Sequence, residues 1–163
     1  ELLIRGGGLF SGYWRNEAAT QAAMPDGWMH TGDVALRDQD GFFYVVGRLK
    51  NMYITNGENI FPSEVEAALF CHPDVQDVCV IGIPDADRGE VGKAIVVLRP
   101  GASSGAGELR AFAREHLSSI KRPSYYAIVP EIPKSSLGKV VLEKLRERFG
   151  AAQDEDFRRT HGV

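Results

Sequence analysis

Apolar and polar positions along this chain alternate first with the period of strands and later with a mixture of strand and helix periods. Leu2-Leu3-Ile4 is a strand-like run that ends at Arg5 and three glycines. Residues 13–23, Y-W-R-N-E-A-A-T-Q-A-A, predict a short helix with Asn16 as its N-cap. In D-G-W-M-H-T-G-D, residues 26–33, Asp26-Gly27 and Gly32-Asp33 are turn signals around a short strand, which places the Asp33 carboxylate at a strand end. V-A-L-R-D and F-F-Y-V-V-G flank Gln39-Asp40-Gly41 and predict a β-hairpin.

The next twenty residues, Gly47–Glu66, hold two cations, an apolar run, a turn and a helix start. In extended chain Arg48 and Lys50 leave on one face and Leu49 on the other. Asn56-Gly57 is a strong turn dipeptide, because both residues tolerate positive φ. Pro62 and Ser63 open an amphipathic helix with Val65, Leu69 and Phe70 on its inner face. Val75–Ile81 predicts a strand, Gly82-Ile83-Pro84-Asp85 its break, and Ala94–Leu98 a further strand. After a Gly/Ser/Ala-rich loop at 100–107, Glu108–Leu117 predicts a helix that turns Leu109, Phe112, Ala113 and Leu117 inward. Tyr125–Val129 predicts a short strand, K-S-S-L-G-K a loop, and Val140–Phe149 a last helix. Residues 150–163 read as a frayed polar tail. The order of elements gives an α+β domain from about Gly47 onward, with a β-hairpin, a short central sheet and flanking helices.

Composition narrows the function classes. The 163 residues are 44% hydrophobic and 25% charged, ordinary for a globular protein, and no apolar run approaches the roughly 20 residues that span a bilayer. The net charge of -3 argues against a general nucleic-acid binder. Residues 108–149 nevertheless hold nine Lys or Arg against five Asp or Glu, an asymmetry that suits a phosphate-bearing partner. Cys71 and Cys79 lack metal-type spacing and read as free core thiols in a reducing, cytoplasmic compartment. The chain opens on Glu1 inside a strand-like run, which reads as a piece of a longer protein.

Three separated segments carry a resemblance: W-M-H-T-G-D, then G-R-L-K followed by N-G-E-N-I-F-P-S-E-V-E, then P-K-S-S-L-G-K. In this order and approximate spacing they resemble the adenylate-forming enzymes, the superfamily of acyl-CoA synthetases, luciferases and peptide-synthetase adenylation domains. The likeness runs from Glu1 to about Phe149. It implies residues 1–48 as the end of a large adenylate-binding domain, 49–149 as a small mobile domain, and 150–163 as the polar tail. It also implies activation of a carboxylic acid by ATP with Mg2+, to acyl-adenylate and pyrophosphate, then transfer to CoA. The phosphate-binding loop, the Mg2+ site and the acyl pocket would belong to the rest of the large domain, so this piece alone should be inactive.

The resemblance also implies roles. Asp33 matches the acid that accepts the ribose hydroxyls, and Arg48 an arginine beside the ribose and phosphate. Lys139 matches the catalytic lysine, whose ammonium favours the charge that builds as a carboxylate attacks the α-phosphate. Lys50 matches the hinge, which absorbs a large change in φ and ψ. Gly57, Glu58 and Asn59, with the Gly82-Ile83-Pro84 turn, match the pantetheine path of CoA. Arg88, Lys121 and Arg122 are candidates, by charge alone, for the nucleotide end of CoA. No residue is assigned to a metal. Where the family loop commonly reads G-G-E-N, this chain has Asn56-Gly57-Glu58-Asn59; Asn tolerates the same left-handed turn. A lysine hinge with G-E-N looks more like a fatty or aromatic acyl-CoA synthetase than a peptide-synthetase domain. A domain that loads a carrier protein, or a non-catalytic binding module of this fold, are the competing readings.

Overall fold

Strand-period stretches become strands and helix-period stretches helices through most of the chain, in a computed structural model that describes residues 1–157. They fall into two units, Glu1–Lys50 and a second from Asn51 onward. In the first, β1 (Leu3–Ile4), α1 (Glu17–Ala23), β2 (Met29–His30), β3 (Asp33–Arg37) and β4 (Phe43–Arg48) follow in order. β1 pairs antiparallel with β2, and β3 with β4. The hairpin turn is held by the Phe42 amide, which donates to Asp38 Oδ1 at 2.9 Å. The Asn16 side chain accepts from the Ala19 amide and caps α1, as expected. The helix accordingly begins at Glu17, and Arg15 before the cap has φ 50°, a left-handed conformation that a helix does not continue through. The extended chain expected through Lys50 is also corrected: Leu49–Asn51 is a single 3-10 turn, so Arg48 and Lys50 do not share a strand face.

The second unit holds β5 (Tyr53–Thr55), β6 (Glu58–Ile60), α2 (Pro62–Phe70), β7 (Val75–Asp85), β8 (Gly89–Leu98), α3 (Ala106–His116), β9 (Tyr125–Ile128), α4 (Leu142–Phe149) and β10 (Glu155–Asp156). This is the α+β class read from the sequence. β8 is the hub of the sheet. It pairs antiparallel with β7 along its whole length, parallel with β9, and through Gly89 with Thr55 of β5. Its side chains alternate between two cores. Ala94 and Val96 enter one with Val65 and Leu69 of α2 and Leu109 and Ala113 of α3. Val91, Ile95 and Val97 enter the other with Leu145 and Phe149 of α4.

Four sequence expectations change here. The chain does not break at Gly82-Ile83-Pro84-Asp85; β7 runs through it, and these residues pair with Gly92, Val91, Glu90 and Gly89. Phe70 stands outside the inner face of α2, 52% exposed, while Val65 and Leu69 are fully buried. Only Cys79 is a core thiol, since Cys71 is exposed. The tail is not frayed over its described part, because β10 adds a parallel strand to β9; residues 158–163 lie outside the described residues.

Burial and the nearby Glu66 carboxylate push the Cys79 thiol up to about 12. A thiol reagent at neutral pH should therefore label one cysteine in the folded protein and two after unfolding. Labelling of both without unfolding would contradict the packing around β7.

Glu66 itself, on α2, accepts the Val80 amide at 2.8 Å. Desolvation raises its pKa, and the Val80 hydrogen bond offsets this only in part. A carboxyl whose folded pKa lies above its unfolded one contributes most below the unfolded pKa and loses that contribution as pH rises through the folded value. Glu66→Gln should consequently stabilise the protein at pH 7, and the gain should vanish in acid. Urea unfolding at the two pH values measures this; a gain that grows in acid would reverse the assignment.

Candidate functional site

The pairing register of the hairpin sets the first cluster. Asp33 opens β3 directly opposite Arg48 at the end of β4, and Arg48 Nε donates to Asp33 Oδ1 at 2.8 Å. The Asp33 amide is held by Thr31 Oγ1 at 3.0 Å. An acceptor-only carboxylate thus stands beside a half-exposed guanidinium, one group suited to hydroxyl donors and the other to an anion. The sequence named both residues but not their contact, which depends on register.

Lys139 follows a loop closed at several points. Lys134 and Val140 form an isolated bridge. The Ser135 amide donates to the Lys139 carbonyl at 2.7 Å, and the Gly138 amide to the Ser135 carbonyl at 2.9 Å. Gly138 has φ 75°, which makes glycine the favoured residue at this turn. Below the loop, Lys134 Nζ donates to Asp77 Oδ2 of β7 at 2.7 Å. Lys139 is exposed and has no ion pair among the described residues, and Leu137 beside it is 83% exposed. A free ammonium on a braced turn can meet an anion from outside the unit. Because Val140 is committed to the bridge and the Val141 amide to the Pro133 carbonyl, the last helix begins at Leu142 rather than Val140. Sequence reasoning missed Asp77 as the anchor; only the acid–base complement of two distant residues could have signalled it.

A third cluster surrounds the β5–β6 turn. Asn56 (φ 50°) and Gly57 (φ 82°) both take the left-handed conformation that the dipeptide predicted. The Asn56 amide donates to the Arg88 carbonyl at 2.9 Å, so the turn is tied to the β7–β8 connection. Next to it lies a cavity of about 180 Å³ lined by Thr55, Asn56, Arg88, Gly92, Ser119 and Arg122 among others. Arg88 pairs with Asp85 at 3.0 Å, a bond that lowers the Asp85 pKa and raises that of Arg88. Arg122 is held by the Leu117 and Arg114 carbonyls at 2.9 and 3.1 Å. Two guanidiniums in fixed positions on one cavity suit an anionic group.

The remaining candidates are placed as follows. Glu58 and Asn59 are exposed on β6. Lys121 does not line the cavity and pairs with Glu64 of α2. Gly82 and Ile83 lie within β7, Ile83 fully buried and Pro84 exposed. Lys50 is exposed in the 3-10 turn. Asp33, Arg48 and Lys50 belong to the first unit, and Lys139 and the cavity to the second. Among the described residues no three His, Cys, Asp or Glu side chains converge on a metal position, and no helix is long and apolar enough to cross a membrane.

The family described as AMP-binding enzyme C-terminal domain matches residues 64–139, ending on Lys139. The long-chain-fatty-acid–CoA ligase of Bacillus subtilis (strain 168) is 43% identical over 147 residues, 90% of this chain and 26% of the relative. The feruloyl-CoA synthase of an Amycolatopsis species is 43% identical over 150 residues, 92% of this chain and 30% of the relative. Among solved structures, o-succinylbenzoate CoA synthetase from Bacillus subtilis, in complex with its acyl-adenylate intermediate, superposes with a TM-score of 0.82 at 33% identity. That match covers 88% of this chain and 29% of the other. The chain thus spans less than a third of the length of these relatives.

Proposed function

Because residues 64–139 belong to the AMP-binding enzyme C-terminal domain family, we propose that this chain is the C-terminal portion of an ATP-dependent, AMP-forming acyl-CoA synthetase. In the first half-reaction a carboxylate oxygen attacks the α-phosphorus of ATP and expels pyrophosphate, forming an acyl-adenylate. In the second, the CoA thiol attacks the acyl carbon, loses its proton and expels AMP. Residues 1–48 then end the large domain, and 49–149 form the mobile one.

The observation that carries this reading is the exposed Lys139, without an ion pair among the described residues, on a turn closed by the Lys134–Val140 bridge at the end of the matched segment. Its charge would lower the energy of the pentavalent, anion-rich transition state without transferring a proton. Asp33 would accept the ribose hydroxyls, with Arg48 beside it facing phosphate. Lys50 is the hinge that lets one domain serve both steps. Gly57, Glu58 and Asn59 would line the pantetheine path, and of Gly82, Ile83 and Pro84 only the exposed Pro84 would present its side chain to it. Arg88 and Arg122 at the cavity, with Lys121 outside it, would meet the phosphates of CoA. Mg2+ accompanies the ATP phosphates in the large domain. That domain is also the partner we assign to the β3–β4 hairpin, where Leu36, Phe43 and Val45 are 60–64% exposed. The two free cysteines suit a cytoplasmic setting.

The intact enzyme, given ATP, CoA and a panel of fatty and aromatic acids, should show acid-dependent exchange of pyrophosphate into ATP and release AMP with a CoA thioester. Exchange without any CoA thioester would point instead to a carrier-protein acceptor. No exchange with any acid would overturn the adenylation reading.

A further inference from the structure

The residues after α4 look like a polar end, yet they are read by the fold at every position from Asp154 to Phe157. Lys93 of β8 is 0% exposed and shares its sheet face with the core residues Val91 and Ile95. Its ammonium donates to the Ala151 carbonyl at 2.8 Å and to Glu155 Oε1 at 2.6 Å. Both partners come from the tail. Arg110 of α3 grips both oxygens of Asp154 at 3.0 and 2.8 Å, and Asp154 Oδ1 also accepts the Tyr126 amide at 2.8 Å. Glu155 and Asp156 pair with Ala127 and Ile128, and the Phe157 amide donates to the Ile128 carbonyl at 2.8 Å. The Phe157 ring meets Phe149 edge-on at 5.5 Å beneath the Arg148 guanidinium.

We propose that the open edge of β9, with the buried Lys93, Arg110 and the Phe149 surface, is a receptor site for an extended acidic–acidic–x–aromatic segment, which Ala151–Phe157 occupies as an intramolecular ligand. A buried ammonium among apolar side chains needs a fixed anion, and among the described residues only Glu155 supplies one. The register is specific. Adjacent strand residues point to opposite faces, so Asp154 reaches Arg110 on the α3 side while Glu155 reaches Lys93 on the α4 side. A slip of one residue either way would turn Phe157 off the Phe149 face; one direction would also set Gln153 against Arg110, and the other the shorter Asp156 against Lys93. Recognition begins at Ala151, whose carbonyl meets Lys93, one residue beyond the Gly150 cap of α4. The site requires nothing from the adenylation reading.

Calorimetry on the whole chain tests the anion site. Glu155→Gln should lower Tm by roughly 10 °C or more, as expected when one partner of a buried ion pair is removed. Lys93→Met combined with Glu155→Gln should recover most of that loss. The receptor is tested with a chain ending at Gly150 and a fluorescent peptide Ala151–Phe157 supplied in trans. The peptide should bind and raise Tm, and its Glu155→Gln form should bind at least about tenfold more weakly. If the shortened chain does not fold alone, refolding with the native peptide should restore the far-ultraviolet signal, and the glutamine peptide should not. A Glu155→Gln protein with unchanged Tm, or equal action of the two peptides, would overturn the proposal.

Discussion

Lys139→Ala in the intact enzyme is expected to lower acid-dependent exchange of pyrophosphate into ATP by about 10²–10³-fold, the usual effect of removing one preorganised electrostatic group from a transition state. Thioester formation from a supplied acyl-adenylate should change little, because the ammonium is needed where the α-phosphate is attacked and not where the thiol attacks carbon. The turn explains why the loss should be chemical rather than structural. Lys139 contributes backbone groups to the loop, its amide to Ser135 Oγ and its carbonyl to the Ser135 amide, and alanine keeps both. Folding should accordingly be unaffected, and unchanged Tm is the control. If both half-reactions survive the substitution, Lys139 is not the group that meets the phosphate.

Gly82→Ala is expected to destabilise the second unit by about 1–3 kcal/mol, the range for overpacking a filled core. Gly82 and Gly92 are register partners on β7 and β8, and the Tyr53 side chain lies across both. A Cβ at Gly82 would stand 2.4 Å from Tyr53 Cβ, and one at Gly92 would stand 2.5 Å from the Tyr53 hydroxyl. The base of the ring cannot retreat, since Tyr53 is 2% exposed. Tyr53→Ala keeps the Cβ that a Gly82 Cβ would meet but removes the ring and hydroxyl that a Gly92 Cβ would meet, so Tyr53→Ala made together with Gly92→Ala should cost less than the sum of the two, and a thermal double-mutant cycle measures that coupling. Additive losses would mean that the ring and the glycine do not touch. The result also bears on function: a Gly82 variant that loses thioester activity and stability together says nothing about the pantetheine path.

What could be read from the letters was local. Asn56-Gly57, the Asn16 cap and the Asp-Gly turn before β4 announce themselves because each needs a particular residue within two or three positions. The errors came where a distant partner overrode local chemistry. Gly82 and Pro84 are breakers by type, yet Pro84 sits one residue from the end of β7, where a missing amide is tolerated, and Gly82 leaves room for Tyr53. The tail reads as a frayed polar end because its acids are conspicuous, whereas Lys93, which Glu155 neutralises, lies some sixty positions earlier. The same limit applied to the candidate site. Asp33, Arg48 and Lys139 are visible in their motifs, whereas the Asp33–Arg48 bond follows from strand register and the Asp77–Lys134 anchor from two segments meeting in space.

The two-sided burial of β8 bears on how this chain can vary. Seven consecutive residues, Val91–Val97, are buried, and every second one serves a different core, so no position there can drift without disturbing one layer or the other. In a library of random variants β8 should be the most depleted stretch of the second unit. The exposed β6 turn and the Lys139 loop should accept change as far as folding is concerned and be constrained only by chemistry. Mutational tolerance would then separate architecture from function along one short chain.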